Sequence, residues 1–327
     1  YAVINFVPAK QFISTAGACE ISGYAAFYCK ADNTRFNLTN TKITGKNVHS
    51  GETNGFGAIV LEGNNNIVNL LSRTDAIAIT EGGAEQAAIL VCGNNNTITM
   101  EEKYSGKTNI SAEVNTQGEN AYWTMVNAEA TGNSIVKYGE NVELVAEANG
   151  YQFVSFEEAV RFAKNGGEIK LLSDVALDTK TLVTCDGYSS IFNVKGMELT
   201  FDLNGHTITV DADPADFVNA KQNMLMGVFT VDDDGKLTID DSSEAKNGAV
   251  NVNANGATVY SLASAYGKDA KLTINNGSYF VDEMNGAASL IYAQHSECVI
   301  INGGTYNIGN LASGANGSPW IFNTKGQ

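Results

Sequence analysis

Leu61-Glu62-Gly63-Asn64-Asn65-Asn66-Ile67-Val68-Asn69-Leu70 is followed thirty residues later by Val91-Cys92-Gly93-Asn94-Asn95-Asn96-Thr97-Ile98-Thr99-Met100. Thirty-two residues before the first stands Cys29-Lys30-Ala31-Asp32-Asn33-Thr34-Arg35-Phe36-Asn37-Leu38. Apolar residues stack at the first, eighth and tenth places, and Asn or Asp at the fourth and fifth. A weaker copy runs through Gly132-Asn133-Ser134-Ile135-Val136-Lys137. Repeats at such periods decide a fold before any single residue does.

The second half repeats a different phrase. Leu199-Thr200-Phe201-Asp202-Leu203-Asn204-Gly205 recurs as Leu237-Thr238-Ile239-Asp240-Asp241, as Leu272-Thr273-Ile274-Asn275-Asn276-Gly277 and as Val299-Ile300-Ile301-Asn302-Gly303-Gly304, at offsets of 38, 35 and 27 residues. A short apolar strand precedes each copy (191–194, 228–231, 262–265, 290–293) and another follows it (207–210, 249–252, 279–281, 306–308). That makes three short strands per repeat, parted by Gly and Asn.

Strands of three to five residues make no stable sheet alone, but stacked at about 4.8 Å they bury a continuous interior. Alternate residues point inward onto like neighbours. The corners need residues that tolerate left-handed backbone angles, hence 37 Asn and 33 Gly. Ten Asn-Gly pairs occur. Such pairs also mark two-residue hairpins, but the strand spacing favours corners, with the aligned Asn side chains bonded as a ladder. The expected fold is all-β, a three-sided right-handed parallel solenoid.

One segment departs from this pattern. Ser155-Phe156-Glu157-Glu158-Ala159-Val160-Arg161-Phe162-Ala163-Lys164 reads as a helix with a capping box, Ser155 answered by Glu158, and Asn165-Gly166-Gly167 ends it. A helix before a stack of strands suits an end cap. The chain therefore divides into 1–147, a repeat region, and 148–327, a capped repeat domain. It opens in mid-pattern at Tyr1-Ala2-Val3 and stops at Asn323-Thr324-Lys325-Gly326-Gln327, as a repeat region truncated at its C-terminal end does.

Composition narrows the partners. The net charge is −16 and the pI about 4.5, which leaves nothing to neutralise a run of phosphates and excludes nucleic acid. No apolar run reaches the roughly 18 residues of a membrane span. The five cysteines (Cys19, Cys29, Cys92, Cys185, Cys298) lack metal or redox spacing and read as buried small hydrophobes. A Cys19–Cys29 bridge has nothing to support it.

The helix with Gly166-Gly167, the phrase Leu199-Thr200-Phe201-Asp202-Leu203-Asn204-Gly205-His206-Thr207-Ile208, and the later Leu-Thr-Ile and Ile-Asn-Gly-Gly-Thr phrases carry a resemblance. The chain resembles the pectate-lyase-like right-handed parallel β-helix superfamily, over 150–327 closely and over 20–145 more loosely. It looks most like the repeat modules of large bacterial surface proteins and of phage structural proteins. The resemblance speaks for fold and not for activity, because that superfamily holds enzymes and adhesins alike.

A lyase of that kind needs an Arg base beside carboxylate-bound calcium. The three arginines are Arg35, Arg73 and Arg161. The last sits on the expected helix, and no Asp cluster aligns with the others. The dense carboxylates Asp232, Asp233, Asp234, Asp240 and Asp241 read first as a solvated acidic corner; if functional, they would hold Ca²⁺, a hard cation that prefers clustered oxygens. No other cofactor is expected. His49, His206 and His295 are dispersed, without a nucleophile at motif spacing. Tyr122-Trp123, Tyr260, Tyr266, Tyr292, Tyr306 and Trp320 are candidates for stacking on sugars, with core packing as the commoner role. Sequons at Asn37, Asn109, Asn276 and Asn316 read as chance in so Asn-rich a chain.

These readings point to a non-catalytic extracellular module of a bacterial surface protein or filament, acting in adhesion or as a rigid element. The expected partners are a polysaccharide, a host or cell-surface ligand, or like chains in self-assembly. The alternatives are a carbohydrate-active enzyme, lyase or glycoside hydrolase, and a phage virion fibre or tailspike.

Overall fold

Alternating apolar residues need a surface to face, and in a computed structural model of the chain each strand finds it on the strand one repeat away. The structure describes residues 2–6, 11–14, 19–23, 25–39, 41–45, 57–71, 77–79, 86–100, 121–127, 135–138, 141–142, 144–163, 167–180, 183–185, 188–217, 224–284, 288–295, 297–311 and 319–324. Within 2–27, 38–58, 70–88, 100–142 and 183–188, and at 324, only the backbone is described. The chain forms two compact units, Tyr1–Phe162 and Ala163–Gln327. Both are all-β apart from short helical segments, and their sheets are mostly parallel.

In the first unit successive strands pass to three sheets in turn. Ala2–Phe6, Ala25–Cys29, Gly57–Leu61, Gln86–Val91 and Ala121–Asn127 build one sheet, all parallel. Gln11–Ser14, Arg35–Thr39, Ile67–Leu71, Thr97–Met100 and Ile135–Tyr138 build the second. Cys19–Gly23, Thr41–Gly45 and Ile77–Ile79 build the third. Cys29 pairs with Leu61 and Leu61 with Val91, so the repeat offsets of 32 and 30 are strand registers. Phe36, Val68 and Ile98 are buried one above another.

The second unit follows the same three-sheet rule. Gly167–Leu171, Glu198–Asp202, Lys236–Asp240, Lys271–Ile274 and Val299–Ile301 form its first sheet. Val175–Asp178, Thr207–Asp211, Ala249–Asn253, Ser278–Met284 and Thr305–Leu311 form the second. Tyr188–Lys195, Met224–Asp232, Ala263–Ala265, Ser289–Ala293 and Trp320–Thr324 form the third. Leu199, Leu237 and Leu272 stack in register, as do Ile208, Val250 and Tyr279, all of them buried.

Some pairings run the other way. Ala146–Ala148 and Tyr151–Phe153 form an antiparallel hairpin across Asn149-Gly150. Both turn residues are left-handed, with φ of 47° and 82°, which is the two-residue turn that matches strand twist. Here Asn-Gly closes a hairpin and not a corner between sheets, because residues 148 and 151 pair directly. Val183–Cys185 also pairs antiparallel with Tyr188–Lys195.

The helix spans Phe156–Phe162. Its cap forms as the sequence indicates, the Glu158 amide donating to Ser155 Oγ at 3.3 Å. The helix belongs to the Tyr1–Phe162 unit and packs against the hairpin. The Phe162 ring lies 5.2 Å from that of Phe153 and 5.6 Å from that of Tyr151. No helix among the described residues is long and apolar enough to cross a membrane. Cys29, Cys92 and Cys298 are free, the first and last of them buried, so no Cys19–Cys29 bridge forms.

Candidate functional site

Polar side chains collect at the corners between sheets, where backbone N–H groups leave the ladders and need acceptors. In the first unit the middle residue of each triplet, Asn33, Asn65 and Asn95, is left-handed, with φ near 56–58°. Its neighbours bond along the stack in two directions. The Asn94 amide donates to Asn64 Oδ1 at 2.8 Å, and the Asn64 amide to Asp32 Oδ1 at 2.6 Å. In reverse, the Thr34 amide donates to Asn66 Oδ1 at 2.8 Å and the Asn66 amide to Asn96 Oδ1 at 2.9 Å. Asn66 and Asn96 are fully buried. Gly63 and Gly93 allow the strands to approach here: a Cβ on Gly93 would lie 2.0 Å from the Gly63 carbonyl oxygen.

The acidic corner of the second unit follows the same rule. Asp202 Oδ1 accepts the amides of Asn204 and Ser242 at 2.9 and 2.8 Å, and its Oδ2 accepts Ser242 Oγ at 2.6 Å. Asp241 is wholly buried. Its Oδ1 accepts the Gly205 and Ser243 amides at 2.8 and 3.2 Å, and its Oδ2 the Gly248 amide at 2.6 Å. Asp240 Oδ1 accepts the Asp241 amide at 2.7 Å and Asn276 Nδ2 at 2.9 Å. Its Oδ2 accepts Asn275 Nδ2 at 3.3 Å, and Asn275 Oδ1 in turn accepts Asn302 Nδ2 at 2.9 Å.

Burial pushes the Asp240 and Asp241 carboxyls up, but these hydrogen bonds outweigh it and hold both below the ordinary 3.8. Asp240, Asn275 and Asn302 thus form a ladder across the strand ends of the first sheet.

Asp232, Asp233 and Asp234 stand at the other end of the Lys236–Asp240 strand. Lys195 Nζ lies 3.4 Å from Asp232 and 2.7 Å from Asp233, and the Asp233 amide donates to Asp232 Oδ1. Among the described residues no group of three or more His, Cys, Asp or Glu side chains stands close enough to share a metal ion. The five carboxylates singled out in the sequence are therefore not brought together. A strand separates the two sets; hydrogen bonds engage Asp240 and Asp241, and Lys195 engages Asp232 and Asp233.

The remaining candidates are dispersed. Arg161 lies 3.9 Å from buried Glu158 on the helix. Arg35 begins a strand and is exposed. Arg73 and His49 lie outside the described residues. His206 Nδ1 is 3.5 Å from the exposed Asp174 carboxylate, and His295 follows a strand end.

Tyr266 and Tyr292 are buried in a cluster with Met226, and half-buried Met224 and Tyr260 pack against it, so these tyrosines serve packing. Tyr306 stacks on buried Tyr279 at 5.2 Å. Trp320 is exposed. The side chains of Tyr122 and Trp123 fall outside the description. Two of the sequon asparagines, Asn37 and Asn276, are engaged in ladder bonds, whereas Asn109 and Asn316 lie outside the described residues.

Reading for single residues missed the apolar row formed by Ile300, Ile301, Leu311 and Phe322 beside Trp320. No residue type marks it, because the partners of Ile301, Leu311, Phe322 and Trp320 one repeat earlier, Ile274, Met284, Ile291 and Ser289, are buried. No family model, curated protein or solved structure matches the chain.

Proposed function

We propose that the chain winds as a right-handed parallel β-helix of the pectate-lyase-like kind and serves as a non-catalytic extracellular module of a bacterial surface protein. In that role it acts in adhesion or as a rigid spacer. One observation carries the reading: the carboxylates best placed for chemistry, Asp202, Asp240 and Asp241, spend their oxygens on backbone amides and asparagine side chains of their own turn and of neighbouring repeats. A general acid needs a raised carboxyl pKa, and a calcium ligand needs free lone pairs. Hydrogen bonds hold Asp240 and Asp241 below the ordinary carboxylate value, and all three carboxylates act as structural acceptors. The acidic surface suits a repeat module that must stay dispersed.

The test is a depolymerisation screen on uronic-acid and neutral polysaccharides, with and without Ca²⁺. It reads unsaturated products by absorbance and reducing ends in parallel. The cooperatively folded protein is expected to release neither, while retaining at least one polysaccharide or cell-surface ligand in a binding panel. Turnover of any polymer would overturn the non-catalytic reading.

A further inference from the structure

Asn-Gly is the dipeptide in which an asparagine side chain is most open to attack by its own backbone, because glycine puts no Cβ in the path of the amide nitrogen. Ten such pairs occur in this chain, and six lie within the described residues. In five of the six a hydrogen bond holds at least one of the reacting groups. Asn204 Nδ2 donates to the Leu171 carbonyl at 2.9 Å, and the Gly205 amide to Asp241 Oδ1 at 2.8 Å. The Gly248 amide, which follows Asn247, donates to Asp241 Oδ2 at 2.6 Å inside the fold. Asn276 Nδ2 donates to Asp240 Oδ1 and Asn302 Nδ2 to Asn275 Oδ1, both at 2.9 Å. Asn149 Nδ2 reaches the Phe162 carbonyl at 3.4 Å.

Asn255-Gly256 is held by none of these means. Both residues are exposed and left-handed, with φ of 50° and 84°, in a turn closed by the Ala257 amide donating to the Ala254 carbonyl at 2.8 Å. Among the described residues neither the Asn255 side chain nor the Gly256 amide has a hydrogen-bond partner, and nothing lies within 4 Å of a Cβ at Gly256. We propose that Asn255 is a self-modification site, which converts to aspartate and isoaspartate in the folded protein with water as the only co-reactant. The Gly256 nitrogen attacks Asn255 Cγ and the N–Cγ bond forms. The Cγ–Nδ2 bond breaks, and Nδ2 leaves as ammonia with the proton from the Gly256 nitrogen. Water then opens the cyclic imide. Cleavage of the N–Cγ bond gives aspartate; cleavage between the Gly256 nitrogen and the Asn255 backbone carbonyl carbon gives isoaspartate. Either product adds a negative charge to a chain already at −16. Isoaspartate also adds a backbone carbon between Ala249–Asn253 and Thr258–Val259, where the chain passes from the second sheet to the third. The inference rests on this turn alone and holds whether or not the module binds polysaccharide.

Peptide mapping by mass spectrometry tests it, on the full chain held at mildly alkaline pH, folded and in denaturant, with Gly256→Ala alongside. In the folded protein the peptide holding Asn255 is expected to gain the mass of a deamidation first among the six described pairs. It should also split on chromatography into aspartate and isoaspartate forms. Denaturant should bring Asn204, Asn247, Asn276 and Asn302 up to the rate of Asn255, since their hydrogen bonds are then gone, and should change the rate at Asn255 little. Gly256→Ala should stop conversion at Asn255 over the same period in both samples, because the added Cβ obstructs the attacking nitrogen whether or not the chain is folded. Asn255 that stays intact in the folded chain while another of the six pairs converts would overturn the proposal. So would equal rates at all six in the folded chain, or conversion only after unfolding, since the turn would then confer nothing.

Discussion

Asn95 and Asn96 are adjacent and chemically identical, yet they answer different demands. Asn95 is exposed and left-handed, and its side chain makes one exposed bond, donating to Asn65 Oδ1 at 3.2 Å. Such a bond in water contributes little, so the residue matters chiefly for tolerating that backbone. Asn96 is buried, and it accepts the Asn66 amide while donating to the Gly63 carbonyl at 3.0 Å. Asn96→Ala is expected to cost about 2–3 kcal/mol, because a buried amide loses its acceptor. Asn95→Gly should stay within about 1 kcal/mol of wild type, since glycine accepts positive φ freely. Denaturant midpoints of the two variants check the contrast.

Glycines divide in the same manner. Gly93→Ala drives a methyl into the Gly63 carbonyl and should cost about 3 kcal/mol or more. At Gly256, with φ of 84° and nothing within 4 Å of a Cβ, alanine meets only the left-handed penalty of about 1–2 kcal/mol. The sequence shows Asn and Gly at these corners. It does not show which of them touches the next strand.

At the scale of the strand and its corner, Asp241 ties three segments together by accepting amides from Gly205, Ser243 and Gly248. Asp241→Asn turns an acceptor oxygen into a donor facing an N–H. It should lower stability by about 2–3 kcal/mol. Because the folded carboxyls of Asp240 and Asp241 lie below 3.8, their contribution is complete above that value and is lost as pH falls through the folded pKa.

Tyrosine acts at the alkaline side. Tyr306, pushed up to about 12 from 10.0 by burial, favours the neutral form in the fold. Its contribution is complete below pH 10 and is lost as pH rises toward 12. Melting temperatures of wild type and Asp241→Asn across the two limbs check both signs: the acid limb should shallow in the variant, and the loss toward pH 12 that Tyr306 brings should persist.

The offsets of 32, 30, 38, 35 and 27 residues were legible because each equals a strand register. The hairpin at Asn149-Gly150 was not, since Asn-Gly serves corner and hairpin alike and only the pairing of Ala148 with Tyr151 separates them. Nor were the saturated carboxylates, whose donors are amides from segments up to 40 residues away.

For the whole molecule, the same repetition that buries Ile274 leaves Ile301 exposed, and no property of the isolated residue distinguishes them. Ile274 is paired with Ile239 on one side and Ile301 on the other, whereas Ile301 pairs, among the described residues, with Ile274 alone. The corner ladders, the occupied carboxylates and the apolar row all depend on parallel strands stacked in register.

Disulfide trapping reads that register most directly. Thr200, Thr238 and Thr273 pair in sequence across the first sheet of the second unit and alternate with buried neighbours. Adjacent strands lie about 4.8 Å apart and alternate ones about twice that, while a disulfide spans Cα atoms only up to about 7 Å. Oxidation, scored by reducible intramolecular cross-linking against the wild-type background, should therefore trap Thr200→Cys/Thr238→Cys and Thr238→Cys/Thr273→Cys, but not Thr200→Cys/Thr273→Cys. Trapping of the distant pair as readily as the near ones, or of none, would contradict the stacked register.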